Sequence, residues 1–430
     1  MKSRGDRQSS RAIPVLLIWS FACLFLAPPA ARAIPGFARK HDVKCYNCHT
    51  IPPVLNKTGY LYKRYGYRLP PDYEPGTAPV KLSEIDRNFP WRFTDSAAFF
   101  FNPNFRVHRQ SATGEPSTSN SSFETEELEL FLAGRIPKTE FSYFVETEFK
   151  IEEAELVQAV VAYASGKVNS SYILRAGKMF LQEAEGTRAA MGFSLFPSGP
   201  LQFEHTSPVN FSLDHKPVGI QGGYTWTSPW YRNIVAVSAK LTNGVDEEGE
   251  AIAADSTKNF KDFWFNADWW FGPDGGVTFL AYHGKKDQEG EDGLEAFTFR
   301  PAIRRYGLFG NYLFFDKLDL IGGYVRSDDD WKWALAGAAG HARSNSFRGE
   351  VNYYFFPGLA VMARYDRLNQ EIQGGHRSHI RSWAIGGAKS LTETGNIIIR
   401  GSYGDDRGAD PLSLLKSRDR RFIVDLKVIW

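Results

Sequence analysis

Sulfur is scarce in this chain, with three cysteines and four methionines among 430 residues. Three cysteines cannot staple a disulfide-built scaffold, and no second Cys pair exists to complete a structural zinc site. A surplus of charge is also missing. Lys and Arg number 51 against 49 Asp and Glu, a net +2, which gives no basic face for nucleic acid. Beyond the first thirty or so residues, no apolar run is long enough to cross a bilayer as a helix. Mean hydropathy is −0.35. That excludes a bundle of transmembrane helices, but not a transmembrane β-barrel, whose strands are only half apolar. What the chain has in quantity is aromatic side chains, at 15%, and 39 glycines.

The first residues read as an address. Lys2, Arg4, Arg7 and Arg11 precede an apolar run from Ala12 to Leu26, then Pro28, Pro29 and the small-residue site Ala31-Arg32-Ala33. This is the layout of a secretory signal over 1–33, with cleavage before Ile34. Cys23 lies within the apolar run and leaves with it. Cys45 and Cys48 are then the two cysteines of the exported chain.

Over 87–430 the sequence breaks into segments of about ten residues with alternating polarity. In FSYFVETEFK, Phe141, Tyr143, Val145 and Phe149 share one face, and Ser142, Glu146, Glu148 and Lys150 share the other with Phe144. In RFIVDLKVIW, Phe422, Val424, Leu426, Val428 and Trp430 oppose Asp425 and Lys427. A soluble sandwich alternates too, so the connections decide. Short turns fall at Pro137-Lys138, Gly166–Asn169, Ser228-Pro229, Pro273–Gly276, Asp316-Lys317, Pro357-Gly358 and Thr392–Gly395. Longer polar connections fall at about 109–122, 181–215, 244–259, 284–296, 327–344, 370–378 and 405–419, with a short one at 151–154. Short and long connections alternate as in an outer-membrane barrel. The expectation is an all-β fold, a transmembrane antiparallel β-barrel of about 16 strands. Trp264, Trp269, Trp270, the run Tyr353–Phe356 and Trp430 are expected at the membrane–water interface, and a final strand ending on an aromatic resembles the C-terminal signal of bacterial outer-membrane proteins.

Residues 34–86 show no strand alternation and contain Cys45-Tyr46-Asn47-Cys48-His49. A thioredoxin-type motif would need a βαβ setting. Covalent haem c needs what is here: two thiols for the vinyl groups, a histidine next to the second as proximal iron ligand, and export. A segment of about 50 residues buries little core alone, and haem supplies apolar mass. The sixth ligand stays open. His41 is the nearest candidate, His108, His205 and His215 are others, Met179, Met191 and Met362 all fall in the barrel region, and an open or weakly ligated iron is a further reading. A sixteen-stranded barrel is roughly 35 Å across, and so small a domain has a radius of gyration of about 10 Å. The domain is therefore expected as a plug in the lumen, entered from the periplasmic side.

The run Ile34-Pro35, Phe37-Ala38-Arg39, Cys45-x-x-Cys48-His49, Pro53, Leu55-Asn56, Gly59-Tyr60 and Gly66-Tyr67-Arg68 resembles the opening of the outer-membrane monohaem cytochrome c–porin fusions, the iron-oxidising outer-membrane cytochromes among them. The match covers about 35 residues. It implies one haem c in a small N-terminal domain, a porin-like barrel, and single-electron transfer to a periplasmic c-type cytochrome or other carrier, with extracellular Fe(II) as the candidate donor and Fe(II) oxidase as the candidate activity. The alternatives are a solute porin, for example anion-selective, with a structural or sensory haem, or a conduit running electrons outward. Acidic loops at Asp246, Glu247, Glu248 and Glu250 and at Asp287, Glu289, Glu291 and Asp292, with His376 and His379, are candidate cation collectors, though runs of charge are ordinarily solvated loop. The address is the bacterial outer membrane, with its lipid as a further partner.

Overall fold

Each strand of alternating polarity has one greasy face to cover, and here sixteen of them close on one another. The computed structural model describes residues 36–52, 54–85, 96–114, 116–149, 154–179, 216–243, 261–272, 274–285, 288–292, 295–299, 302–332, 339–372, 376–392, 394–409 and 416–429. The expected signal segment, Met191, His205, His215, the acids at 246–250, Asp287 and Trp430 lie outside them.

The barrel strands are β1 (Ala97–Ala112), β2 (Thr118–Arg135), β3 (Phe141–Phe149), β4 (Ala154–Lys167), β5 (Ser170–Lys178) and β6 (Val218–Thr227). They continue with β7 (Asn233–Thr242), β8 (Asp262–Phe271), β9 (Gly275–Lys285), β10 (Ala302–Phe314) and β11 (Leu318–Lys332). The last five are β12 (Ala339–Phe356), β13 (Leu359–Ile372), β14 (His376–Ser390), β15 (Ile397–Ala409) and β16 (Lys416–Ile429). All pairs are antiparallel, and β16 closes on β1 with Val424 opposite Phe105 and Ile429 opposite Phe100. All seven expected short turns are present, and together they define one end of the barrel. Four of the expected long connections are shorter than read. β1 and β2, β11 and β12, β13 and β14, and β15 and β16 stay paired well past the apolar zone, because a ladder does not require apolar side chains where water covers it. The connection at 284–296 holds a small hairpin, Gln288–Asp292 with Glu295–Phe299.

The barrel is inside out relative to a soluble protein. On β8, Phe263 and Trp269 are exposed, while Asp262, Asn266 and Asp268 are buried in the interior. Buried charges need partners, and the interior supplies them. Arg305 pairs with Asp329, Arg348 and Arg364 share Asp366 at 2.7 and 2.9 Å, and Arg400 holds Asp425 at 2.7 Å. Glu146 faces the same interior. The aromatic expectation is corrected in part. Trp264, Trp270 and Tyr354 point inward and are buried, leaving Trp269, Tyr353, Phe355 and Phe356 on the outer surface. Alternation puts neighbours in sequence on opposite faces, so a cluster of aromatics along one strand splits between lipid and lumen.

Residues 36–85 occupy the lumen at the short-turn end. Helix α1 (Gly36–His41) leads to one 3-10 turn at Cys45–Asn47, then to a hairpin of His49–Ile51 with Val54–Leu55, and then to helix α2 (Lys57–Arg64). Asn56 caps α2 by accepting from Gly59 N–H. The helix ends in a Schellman motif, with Tyr67 N–H on Tyr62 C=O, Gly66 N–H on Lys63 C=O, and Gly66 at φ +63°.

Contacts to the barrel are made by buried side chains. Tyr60 donates to Asp268 Oδ2 at 3.2 Å, and its ring lies 5.2 Å from that of Trp270. Arg64 donates to Thr225 Oγ1 at 2.9 Å and to Tyr224 C=O at 3.0 Å. Tyr65 donates to Val168 C=O at 2.7 Å, and Arg68 pairs with Glu140 at 2.8 Å. Lys57 reaches the carbonyls of Tyr231 and Gly272. Ile51 and Val54 pack with Leu313, Tyr354, Met362 and Ile398 in one apolar cluster.

Candidate functional site

The triplet is held from two sides. Cys45 and Cys48 stand at the two ends of the 3-10 turn, where Cys48 N–H donates to Cys45 C=O at 3.1 Å. His49 follows on the hairpin, opposite Leu55. From the plug side, Asn56 Nδ2 donates to the carbonyls of Tyr46 at 3.2 Å and Asn47 at 3.1 Å, and Asn56 N–H donates to Cys48 C=O at 3.0 Å. Gly59 lies so close to Cys48 O that a Cβ there would stand 2.2 Å away. From the barrel side, Thr394 C=O accepts from Cys45 N–H at 3.2 Å. The Tyr46 ring sits against Gly358 and Gly395, in the turns after β12 and β14.

Cys45 and Cys48 form no disulfide. Burial pushes both thiols from an ordinary 9.0 up to about 11, and for Cys48 the charge of Cys45 adds to it. Thiol–disulfide exchange runs on a thiolate available near neutral pH, so these protonated thiols are poorly suited to it. Two thiols one turn apart, with an imidazole directly after the second, fit the donor set of haem c.

His41 is not gathered with these three. It ends α1 with Nε2 3.5 Å from Tyr62 Oη and its ring edge-on to Tyr62 at 5.6 Å. His108 is 2.5 Å from Asp419 toward the loop end of β1, far from the short-turn end. Met179 is buried just beyond β5. Met362 is buried in the cluster with Ile51 and Val54. His379 is paired with Asn369, and both lie on the outer face. Among the described residues no three His, Cys, Asp or Glu side chains converge as a metal group. A cleft of about 780 Å³ opens beside α2, lined by Lys57, Thr58, Leu61, Asp72, Trp230 and Tyr231 among others, and it does not touch the triplet.

Sequence reasoning missed the Asn56 clasp, Tyr46, Gly358 and Gly395. An Asn three residues before a Gly at a helix start was a visible capping signal. The two turn glycines were not readable as partners of Tyr46, because only barrel closure brings them together.

No protein-family profile matches this sequence, and no curated protein matches it. Among solved structures, the anion-selective porin from Comamonas acidovorans superposes with a TM-score of 0.52 at 11% identity, over 78% of this chain and 99% of that one. The outer membrane channel DcaP of Acinetobacter baumannii gives 0.47 at 10% identity, over 79% and 99%. A loop-deletion form of OmpT from Vibrio cholerae gives 0.49 at 11% identity, over 77% and 99%. At these identities the likeness speaks for the fold alone, and that fold is the closed porin-type barrel.

Proposed function

We propose that this chain is an outer-membrane c-type cytochrome set in a porin-type barrel, related to the cytochrome–porin fusions, and that it passes single electrons from extracellular Fe(II) to a periplasmic carrier. The observation that carries this reading is the Cys45, Cys48, His49 triplet, clasped by Asn56 and Gly59 within a segment lodged in the lumen. Cys45 and Cys48 would hold the haem through thioethers, and His49 would ligate its iron. Haem c, when bound, supplies a one-electron couple matched to Fe(II)/Fe(III). Tyr60, Arg64, Tyr65 and Arg68 tie the plug to the wall, which supports a route for charge rather than for solute. The outer-membrane address is supported by the apolar exterior and the alternating turn and loop lengths. His41 is carried as the candidate sixth ligand. A low-spin spectrum that turns high-spin in His41→Ala assigns it, and an unchanged spectrum removes it.

A solute porin with a structural haem is the second reading, favoured by the barrel type. Stopped-flow mixing with Fe(II) separates the two. Fast haem reduction in the purified full chain, and loss of covalent haem in Cys45→Ser/Cys48→Ser, are expected. No reduction, together with high ion conductance in planar bilayers, would overturn the electron-transfer reading.

A further inference from the structure

Residues directly opposite on paired strands share a face, and like charges placed so repel. On the outer surface four arginines stand in such opposition across four adjacent strands. Arg367 on β13 faces Arg381 on β14, Arg381 faces Arg407 on β15, and Arg407 faces Arg418 on β16. Their outward direction follows from their neighbours. Tyr365, Trp383 and Ile385, two or four residues away on the same strands, are exposed apolar residues. Arg367 and Arg381 are exposed, Arg407 is 60% exposed, and Arg418 is partly covered. Among the described residues one carboxylate serves the row. Asp405 takes Arg407 at 2.9 Å and Arg418 at 2.8 and 2.5 Å. Four guanidiniums against one carboxylate leave a formal +3. Arg420 and Arg109, opposite each other on β16 and β1, extend the cationic surface.

The height of the row fits the lipid. Arg367, Arg381, Arg407 and Arg418 lie eight, nine, ten and eleven residues from the short-turn ends of their strands. At about 3.4 Å per residue and a tilt of about 40°, that is roughly 20–30 Å up, the top of a barrel's apolar band. The exposed Tyr365 and Trp383 and the half-buried Tyr403 sit just beneath on the same face. Guanidiniums bind phosphate with paired, charge-assisted hydrogen bonds. A polyanion lying across the row would remove the repulsion between neighbouring arginines.

We propose that the outer face of β13–β16 is a binding surface for the phosphorylated glycolipid of the outer leaflet, with its phosphates on Arg367, Arg381, Arg407 and Arg418 and its acyl chains along the aromatic and aliphatic residues below. The inference rests on the membrane address of the barrel and not on the haem. Its test is lipid binding by the full chain in detergent, read by native mass spectrometry, with the heat-dependent gel shift of folded barrels as a control. The wild type is expected to retain phosphorylated glycolipid and to bind the enzymatically dephosphorylated form at least about tenfold more weakly, as loss of a charge-assisted contact implies. Arg367→Gln/Arg381→Gln, which leaves both arginines on Asp405, is expected to lose binding by a similar factor while staying folded. Equal binding of the two glycolipid forms overturns the proposal, as does equal binding of phosphatidylglycerol or displacement by inorganic phosphate at matched concentration. The wild-type comparison decides even if the variant fails to fold. Failure of the wild type to insert into vesicles at all would instead sink the membrane address.

Discussion

The carbonyl oxygen of Cys48 rests on the Cα of Gly59, where an added Cβ would come within 2.2 Å of it and within 2.8 Å of Leu55. Backbone on one side and a packed Leu on the other leave no room to yield. Gly59→Ala is expected to cost about 1–3 kcal/mol locally and to push the triplet out of place. Covalent haem per folded chain should fall severalfold while the heat-dependent gel shift of the barrel is retained. Wild-type haem content in this variant would show that the contact has no bearing on attachment.

Asn56 does two jobs that different substitutions separate. Its Oδ1 caps α2, and its Nδ2 holds the Tyr46 and Asn47 carbonyls. Asn56→Asp keeps the cap and loses the donor, whereas Asn56→Ala loses both, with the cap alone worth about 1 kcal/mol. Haem loading should drop in both variants, and protease resistance of the plug should drop further in Asn56→Ala. Normal loading in Asn56→Asp would assign Asn56 to the helix alone.

Arg64 and Arg68 are fully buried cations between plug and wall. Truncating both leaves Tyr224 C=O and the Glu140 carboxylate without these donors, at about 1–3 kcal/mol each. Arg64→Ala/Arg68→Ala should therefore open the lumen. Planar-bilayer conductance is expected to rise from near silence to discrete porin-like steps, and a chain lacking 36–85 should be open throughout. A conductance equal to that of the wild type would mean that other contacts seal the pore.

The unligated thiols give a pH dependence of definite sign. Their folded values near 11 lie above the ordinary 9.0, so the folded chain holds these protons more tightly than the unfolded one. Stability is then full below pH 9, falls between about 9 and 11, and levels off above that. Denaturant unfolding of the haem-free chain should show this loss, and Cys45→Ser/Cys48→Ser should flatten it. Maleimide labelling of the folded chain should be slow at neutral pH and quicken across the same window.

The barrel was legible because its rules are local. Proline, glycine and asparagine mark Pro137-Lys138, Pro357-Gly358 and Thr392–Gly395 as tight turns, and each turn falls where it was read. Strand ends at the loop side were less legible. Arg109, Arg343 and Arg407 look like loop residues, yet they continue the ladder past the apolar band. The triplet was plain from spacing alone. Its surroundings were not, since Tyr46 meets Gly358 and Gly395 across more than three hundred residues of chain. The arginine row was equally hidden: its members are scattered singly from 367 to 418, and register alone aligns them.

Tyr46 wedged between two turns of the finished barrel has a consequence for biosynthesis. Cys45 is buried against the turn after β14, a poor target for an attaching enzyme once β16 has met β1. On the proposed reading, haem must be joined to the chain while it is still an unfolded periplasmic traveller, and the barrel is then assembled around a finished cofactor. Pulse-labelled cells stalled in barrel assembly should accumulate a protease-sensitive form that already carries haem.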